Sequence, residues 1–166
     1  KKKWKKIISD FGIINEDHIV IYDNSDTISS CRCWYNFIYF GHDIHKVSVL
    51  NGGLIKWINE KRPVTDKIIN FNKSNYNIVE KKNLVKNKDQ IKENIISKKF
   101  ELVDARSEER FRGLKPEPRK GLKSGSIKNS KNIPFTECLN KIDRTFKNKE
   151  ELIKIFKKRD INNKKD

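Results

Sequence analysis

The feature that most constrains this chain is an alternation of period. Three short, largely apolar runs, Ile19-Val20-Ile21-Tyr22, Val47-Ser48-Val49-Leu50 and Phe100-Glu101-Leu102-Val103, recur between stretches whose apolar residues fall at helical spacing. Such a run bounded by turn formers reads as a buried parallel strand. The first ends in Asp23-Asn24-Ser25-Asp26, the second in Asn51-Gly52-Gly53 and the third at Asp104. Helical spacing covers Trp4, Ile7, Ile8 and Phe11, with Gly12 placed as a C-cap. It returns from Cys31 to Phe40, where aromatics on most faces predict a buried helix ended by Gly41-His42-Asp43. Leu54, Trp57 and Ile58 mark a third helix, closed by Arg62-Pro63. Two more run over Asp89 to Lys98 and Lys149 to Lys158. Strands alternating with helices imply an α/β protein, with parallel sheets covered by helices on both faces.

Two stretches break the alternation. Residues 65–83 are rich in Asn and Lys; Tyr76 and Ile78 alternate weakly and Val79 ends the pattern, so an extended linker is expected, centred on residues 67–83. Ser107 to Lys131 holds most of the Gly and Pro of the second half and reads as a long loop, the kind of segment that carries function. Asn132 to Phe135 is a short extended piece. Each half thus offers about two strands, too few for a stable sheet alone. The chain opens without Met and stops at Asp160-Ile161-Asn162, where another strand is due, so truncation at both ends is the expectation.

Composition narrows the function classes. The net charge is +16 and 36% of the 166 residues are charged, yet the lysines are scattered and form no single stripe. A phosphate-backbone site concentrates its cations, so a nucleic-acid-binding role ranks last and no nucleic-acid partner is expected. Nine Phe, three Trp and four Tyr argue against disorder. No apolar run approaches the roughly 20 residues that span a bilayer, and no membrane partner is expected. Cys31, Cys33 and Cys138 are an odd number without a disulfide framework, which suits a reducing, cytoplasmic setting. Neither they nor His18, His42 and His45 show metal-ligand spacing. No metal or cofactor is therefore expected, and nothing in the pattern speaks to oligomeric state.

Three blocks carry a resemblance. The first is Ile21-Tyr22-Asp23 followed by Arg32-Cys33-Trp34-Tyr35 and Phe40-Gly41-His42. The second is Val47 to Leu54 with Trp57 and Arg62-Pro63. The third is Val103-Asp104-Ala105-Arg106-Ser107, leading into Arg110-Phe111-Arg112-Gly113, Pro116 to Gly121 and Asn132-Ile133-Pro134-Phe135. In order and spacing the chain resembles the tandem-rhodanese sulfurtransferases of the 3-mercaptopyruvate and thiosulfate type. The resemblance implies that residues 1–66 are the second half of a non-catalytic N-terminal rhodanese domain, 67–83 a linker, and 84–166 the first half of the catalytic domain. It also implies that the nucleophilic cysteine lies in a glycine-rich loop beyond these residues, so the chain contains no catalytic residue of its own. One departure stands out: after Gly125 the family carries His-Ile-Pro-Gly-Ala, and this chain has Ser126-Ile127-Lys128-Asn129-Ser130.

The same resemblance assigns roles. Arg110 and Arg119 match the family's substrate-binding arginines; a planar guanidinium holds a carboxylate through paired charge-assisted bonds. Structural pairing of Arg110 with Glu108 or Glu117 is the competing reading. Arg106 follows a strand-end Asp and pairs locally. Asp23 takes, in the first domain, the strand-end position that holds the cysteine in the second, and so marks a pseudo-active site; plain capping is the alternative. The implied reaction moves sulfane sulfur from a small anionic donor, 3-mercaptopyruvate or thiosulfate, to a thiol or cyanide through a cysteine persulfide. A non-catalytic rhodanese-like module that binds partners is the runner-up.

Overall fold

The structure, a computed structural model, describes residues 1–25 and 27–161, so the turn position Asp26 and the strand expected at Asn162 lie outside it. It divides into two compact units, Lys1–Val85 and Lys86–Asp166. Among the described residues no helix is long and apolar enough to cross a membrane.

In the first unit, helix α1 (Lys2–Asp10) puts Trp4 and Ile8 on one face and lysines on the other. Strand β1 (Ile19–Ile21) pairs in parallel with β2 (Val47–Val49), Ile19 opposite Val47 and Ile21 opposite Val49. Helix α2 (Ile28–Tyr39) connects them, as a parallel pair requires. Phe37 and Ile38 of α2 join Ile8, Val47 and Tyr76 in the buried core, with the Trp4 ring edge-on to Phe37 at 5.1 Å. Helix α3 (Gly53–Asn59) follows β2. The expectation of strands buried on both faces fails at Val20, which is 61% exposed: β1 alternates, with Ile19 and Ile21 turned to the core.

Residues 67–83 form no helix or strand before a 3-10 turn at Lys82–Leu84, yet they are more than a spacer. Tyr76 is fully buried, and its hydroxyl meets His42 Nδ1 at 2.9 Å, while His42 Nε2 donates to the Asp17 carbonyl. Burial pushes the Tyr76 hydroxyl up to about 12. The strand-like strap is held by backbone bonds from Ser74 to Ser9, Val79 to Phe40 and Lys81 to Tyr39. Gly41 makes the approach possible: at φ +96° a Cβ would meet the Val79 carbonyl at 2.7 Å. One side chain, Tyr76, thus converts an apparent linker into part of the core.

The second unit opens on α4 (Lys88–Ser97), started by an Asn87/Gln90 capping box. Asn94 is buried because both ends of its amide bond the Phe100 backbone, at 2.9 and 3.0 Å. That bracket displaces the strand expected at 100–103: β3 is only Val103–Asp104, paired in parallel with β4 (Lys131–Asn132). Between them lie the short helix α5 (Glu108–Phe111) and the long loop. Ile133 and Leu139 are buried, and α6 (Lys149–Lys157) begins with a second capping box, Asn148 with Glu151.

Candidate functional site

The loop from β1 to α2 is built around Asp23. Its Oδ1 accepts the Ser25 N–H at 3.0 Å and the Thr27 N–H at 3.3 Å, and Oδ2 accepts the Ser30 N–H at 2.8 Å. Burial opposes ionisation, but the bonds from Ser30, Ser25 and Thr27 outweigh it and hold the carboxyl below the ordinary range. Beneath it, the Asp23 carbonyl accepts the Leu54 N–H at 2.9 Å, and Gly53 at φ +59° leaves only 2.7 Å between a built Cβ and that oxygen. The strand end therefore presents a cradle of backbone donors at a helix N-terminus, and the carboxylate fills it.

The second cluster lies where β3 meets the long loop. Asp104 Oδ1 and Oδ2 accept Arg106 Nε at 3.0 and 3.1 Å, and Oδ2 also accepts Nη2 at 2.5 Å. Arg106 Nη1 donates to Glu117 Oε1 at 2.6 Å, and Nη2 to the Gly125 carbonyl at 2.7 Å. Arg110 donates to the same carboxylate, Nε to Oε1 at 3.2 Å and Nη2 to Oε2. The Glu117 side chain is 4% exposed, against 29% for Arg110. Arg110 first, and Arg106 after it, hold the Glu117 carboxyl below the usual carboxylate range. Arg106 chiefly lowers Asp104. The Asn132 amide donates to the Asp104 and Arg106 carbonyls, at 2.8 and 2.9 Å, fixing the strand end from β4.

Against the sequence reading, Arg106 does pair locally, and Arg110 does bond Glu117. Arg119 is exposed on the same loop and takes no hydrogen bond or ion pair among the described residues. Glu117 is the residue whose centrality the sequence understated; its signal was an acid set between Pro116 and Pro118 in a loop of cations. Arg112 sits on the outer side, 3.5 Å from exposed Glu108.

The three cysteines are free and half-buried. Burial raises all three thiols, reinforced at Cys31 by the Asp23 charge and at Cys138 by Glu137. None sits where a nucleophile would be activated. No cluster of three or more His, Cys, Asp or Glu able to hold a metal occurs among the described residues.

No family model matches the chain. It is 37% identical over 152 residues to 3-mercaptopyruvate sulfurtransferase of Mus musculus, covering 90% of this chain and 50% of the relative. It is 39% identical over 157 residues to thiosulfate sulfurtransferase of Rattus norvegicus, covering 93% and 52%. The chain spans about half the length of the curated relatives it matches. Among solved structures, Tum1 protein from Saccharomyces cerevisiae matches with TM-score 0.84 and 27% identity, over 98% of this chain and 57% of its own. SseA from Escherichia coli, solved as a 3-mercaptopyruvate sulfurtransferase with the rhodanese fold, matches with TM-score 0.85 over 98% and 59%; at 23% identity it speaks for the fold alone. The chain has the rhodanese fold, and over nine-tenths of its length it is similar to 3-mercaptopyruvate and thiosulfate sulfurtransferases.

Proposed function

We propose that this chain is the donor-gripping part of a sulfurtransferase that moves sulfane sulfur from 3-mercaptopyruvate, or thiosulfate, to a thiol or cyanide. In this reading a cysteine thiolate outside the 166 residues attacks the donor sulfur and becomes a persulfide as the C–S bond of 3-mercaptopyruvate breaks to release the pyruvate enolate, or the S–S bond of thiosulfate breaks to release sulfite. The acceptor nucleophile then takes the outer sulfur and the cysteine leaves as a thiolate. Residues 84–166 belong to the catalytic domain and 1–66 to its non-catalytic companion, where Asp23 occupies the place of the nucleophile. A carboxylate cannot carry a persulfide, and here it neutralises the donors that would otherwise stabilise a thiolate. A reducing compartment such as the cytoplasm suits the three free thiols.

The observation that carries the proposal is the state of the loop arginines. Among the described residues, Arg110 is held by Glu117 along one edge only, and Arg119, on the same loop, is unpaired. Two guanidiniums with free donors suit a small carboxylate. In the protein that carries the cysteine, Arg110→Ala and Arg119→Ala should each lower kcat/KM for 3-mercaptopyruvate by about 10- to 150-fold. Arg119→Gly should harm 3-mercaptopyruvate more than thiosulfate, which has no carboxylate to hold. Arg112→Ala should cost far less; equal damage there would mean that general positive charge, not a specific grip, serves the donor.

A further inference from the structure

Arg106, Arg110 and Arg119, three of the four arginines on and beside the long loop, differ in how many of their N–H donors are already spent. A guanidinium offers five N–H donors along two usable edges, Nε with Nη2 and Nη1 with Nη2. Arg106 uses both edges: Asp104 takes the first, and Glu117 and the Gly125 carbonyl take the second. It is a brace between β3 and the far end of the loop. Among the described residues Arg110 spends only its Nε/Nη2 edge, on the two oxygens of Glu117, and its Nη1/Nη2 edge remains open. Arg119 spends none.

We infer that Glu117 is a positioning residue for the donor site, holding Arg110 by one edge so that the opposite edge faces outward as a preset fork for a carboxylate. The inference rests on the reading of Arg110 as a donor-binding residue. Three observations support it. The Glu117 side chain is 4% exposed and meets two guanidiniums, Arg106 and Arg110, so its own orientation is held from two sides. Arg106 is anchored in turn by Asp104, at the end of β3, which ties the fork to the sheet rather than to the loop alone. Pro116 and Pro118 flank Glu117 and fix φ on both sides of it. A side chain held this way loses less rotamer freedom when a ligand arrives.

An acidic residue beside an anion site has two opposed effects, and their opposition makes the inference testable. As a charge, Glu117 repels the donor, so its removal would strengthen binding. As a positioner, it strengthens binding, so its loss would weaken it. Glu117→Gln removes the charge and keeps the length, whereas Glu117→Asp keeps the charge and loses the reach needed to span Arg106 and Arg110.

The test uses the protein that carries the cysteine, with that cysteine replaced by serine so that the donor is not consumed, and 15N-labelled arginine, following the Nε–Hε resonances during titration with 3-mercaptopyruvate. Arg110→Lys assigns the Arg110 signal. In the wild type that signal should shift saturably while Arg106 stays put. Both Glu117 variants should bind about 5- to 20-fold more weakly, with faster solvent exchange of the Arg110 Nε proton. If Glu117→Asp binds as well as wild type and Glu117→Gln binds more tightly, Glu117 acts only as a charge and the inference is overturned while the donor site stands. If 3-mercaptopyruvate leaves Arg110 unmoved in the wild type, the donor-site reading falls and the inference with it. Should Glu117→Gln unfold the second unit, Glu117→Asp carries the comparison.

Discussion

Asp23 shows how one side chain can decide whether a cradle is a site. Its carboxylate accepts three backbone N–H groups in the turn that leads into α2. Asp23→Ala should therefore destabilise the first unit by about 1–3 kcal/mol in urea unfolding, the usual cost of removing hydrogen bonds to a charged acceptor. Asp23→Asn, which keeps one acceptor oxygen, should cost less. Equal losses for the two would show that the charge, rather than the acceptor geometry, holds the loop. The position of Asp23 at a strand end was plain in the sequence. The cradle around it was not, because backbone donors leave no mark in residue type.

At the scale of elements, the long loop is braced by carboxylates whose pKa values lie below their ordinary ones, Asp104 through Arg106 and Glu117 through Arg110 and then Arg106, and Arg106 ties the loop to β3. A depressed carboxylate contributes stability that is full above its unfolded pKa and is lost as pH falls through its folded one. The stability of the second unit should therefore be flat between about pH 7 and 5 and decline below about pH 4. Denaturant midpoints at three pH values would measure this. In Glu117→Gln the acid decline should be shallower, and an unchanged slope would remove Glu117 from the network. Separately, Asn148→Ala at the capping box of α6 should cost about 0.5–2 kcal/mol.

For the whole molecule, the described core cluster lies entirely within residues 1–85, including Tyr76 from the presumed linker. Tyr76→Ala should open a cavity there and cost about 3–5 kcal/mol. Hydrogen exchange should report the loss in α1, α2 and the strap while β3 and α6 keep their protection; matching losses in both units would show that they unfold as one. The raised thiols at Cys31, Cys33 and Cys138 make a second expectation at this scale. The 166-residue chain given 3-mercaptopyruvate and a thiol should release no sulfide above background, and cysteine-dependent turnover would contradict the proposed location of the nucleophile.

The residues themselves were enough for the alternation of strands and helices, the family resemblance, and the arginines worth testing, because periodicity and motif spacing are local and survive in a linear reading. α4 and α6 lie within a residue of the bounds that apolar spacing predicts, whereas α2 begins three residues before Cys31. What the tertiary structure decided depends on approach between distant segments. Tyr76 is core because Gly41 lets the strap close on Phe40 and because His42 awaits its hydroxyl. Phe100 lies outside β3 because Asn94, on the preceding helix, captures its backbone. Arg106 and Arg110 look alike in sequence, four residues apart and both beside acids. Only the fold shows which has an edge to spare, since that depends on where Asp104, Glu117 and the Gly125 carbonyl come to rest.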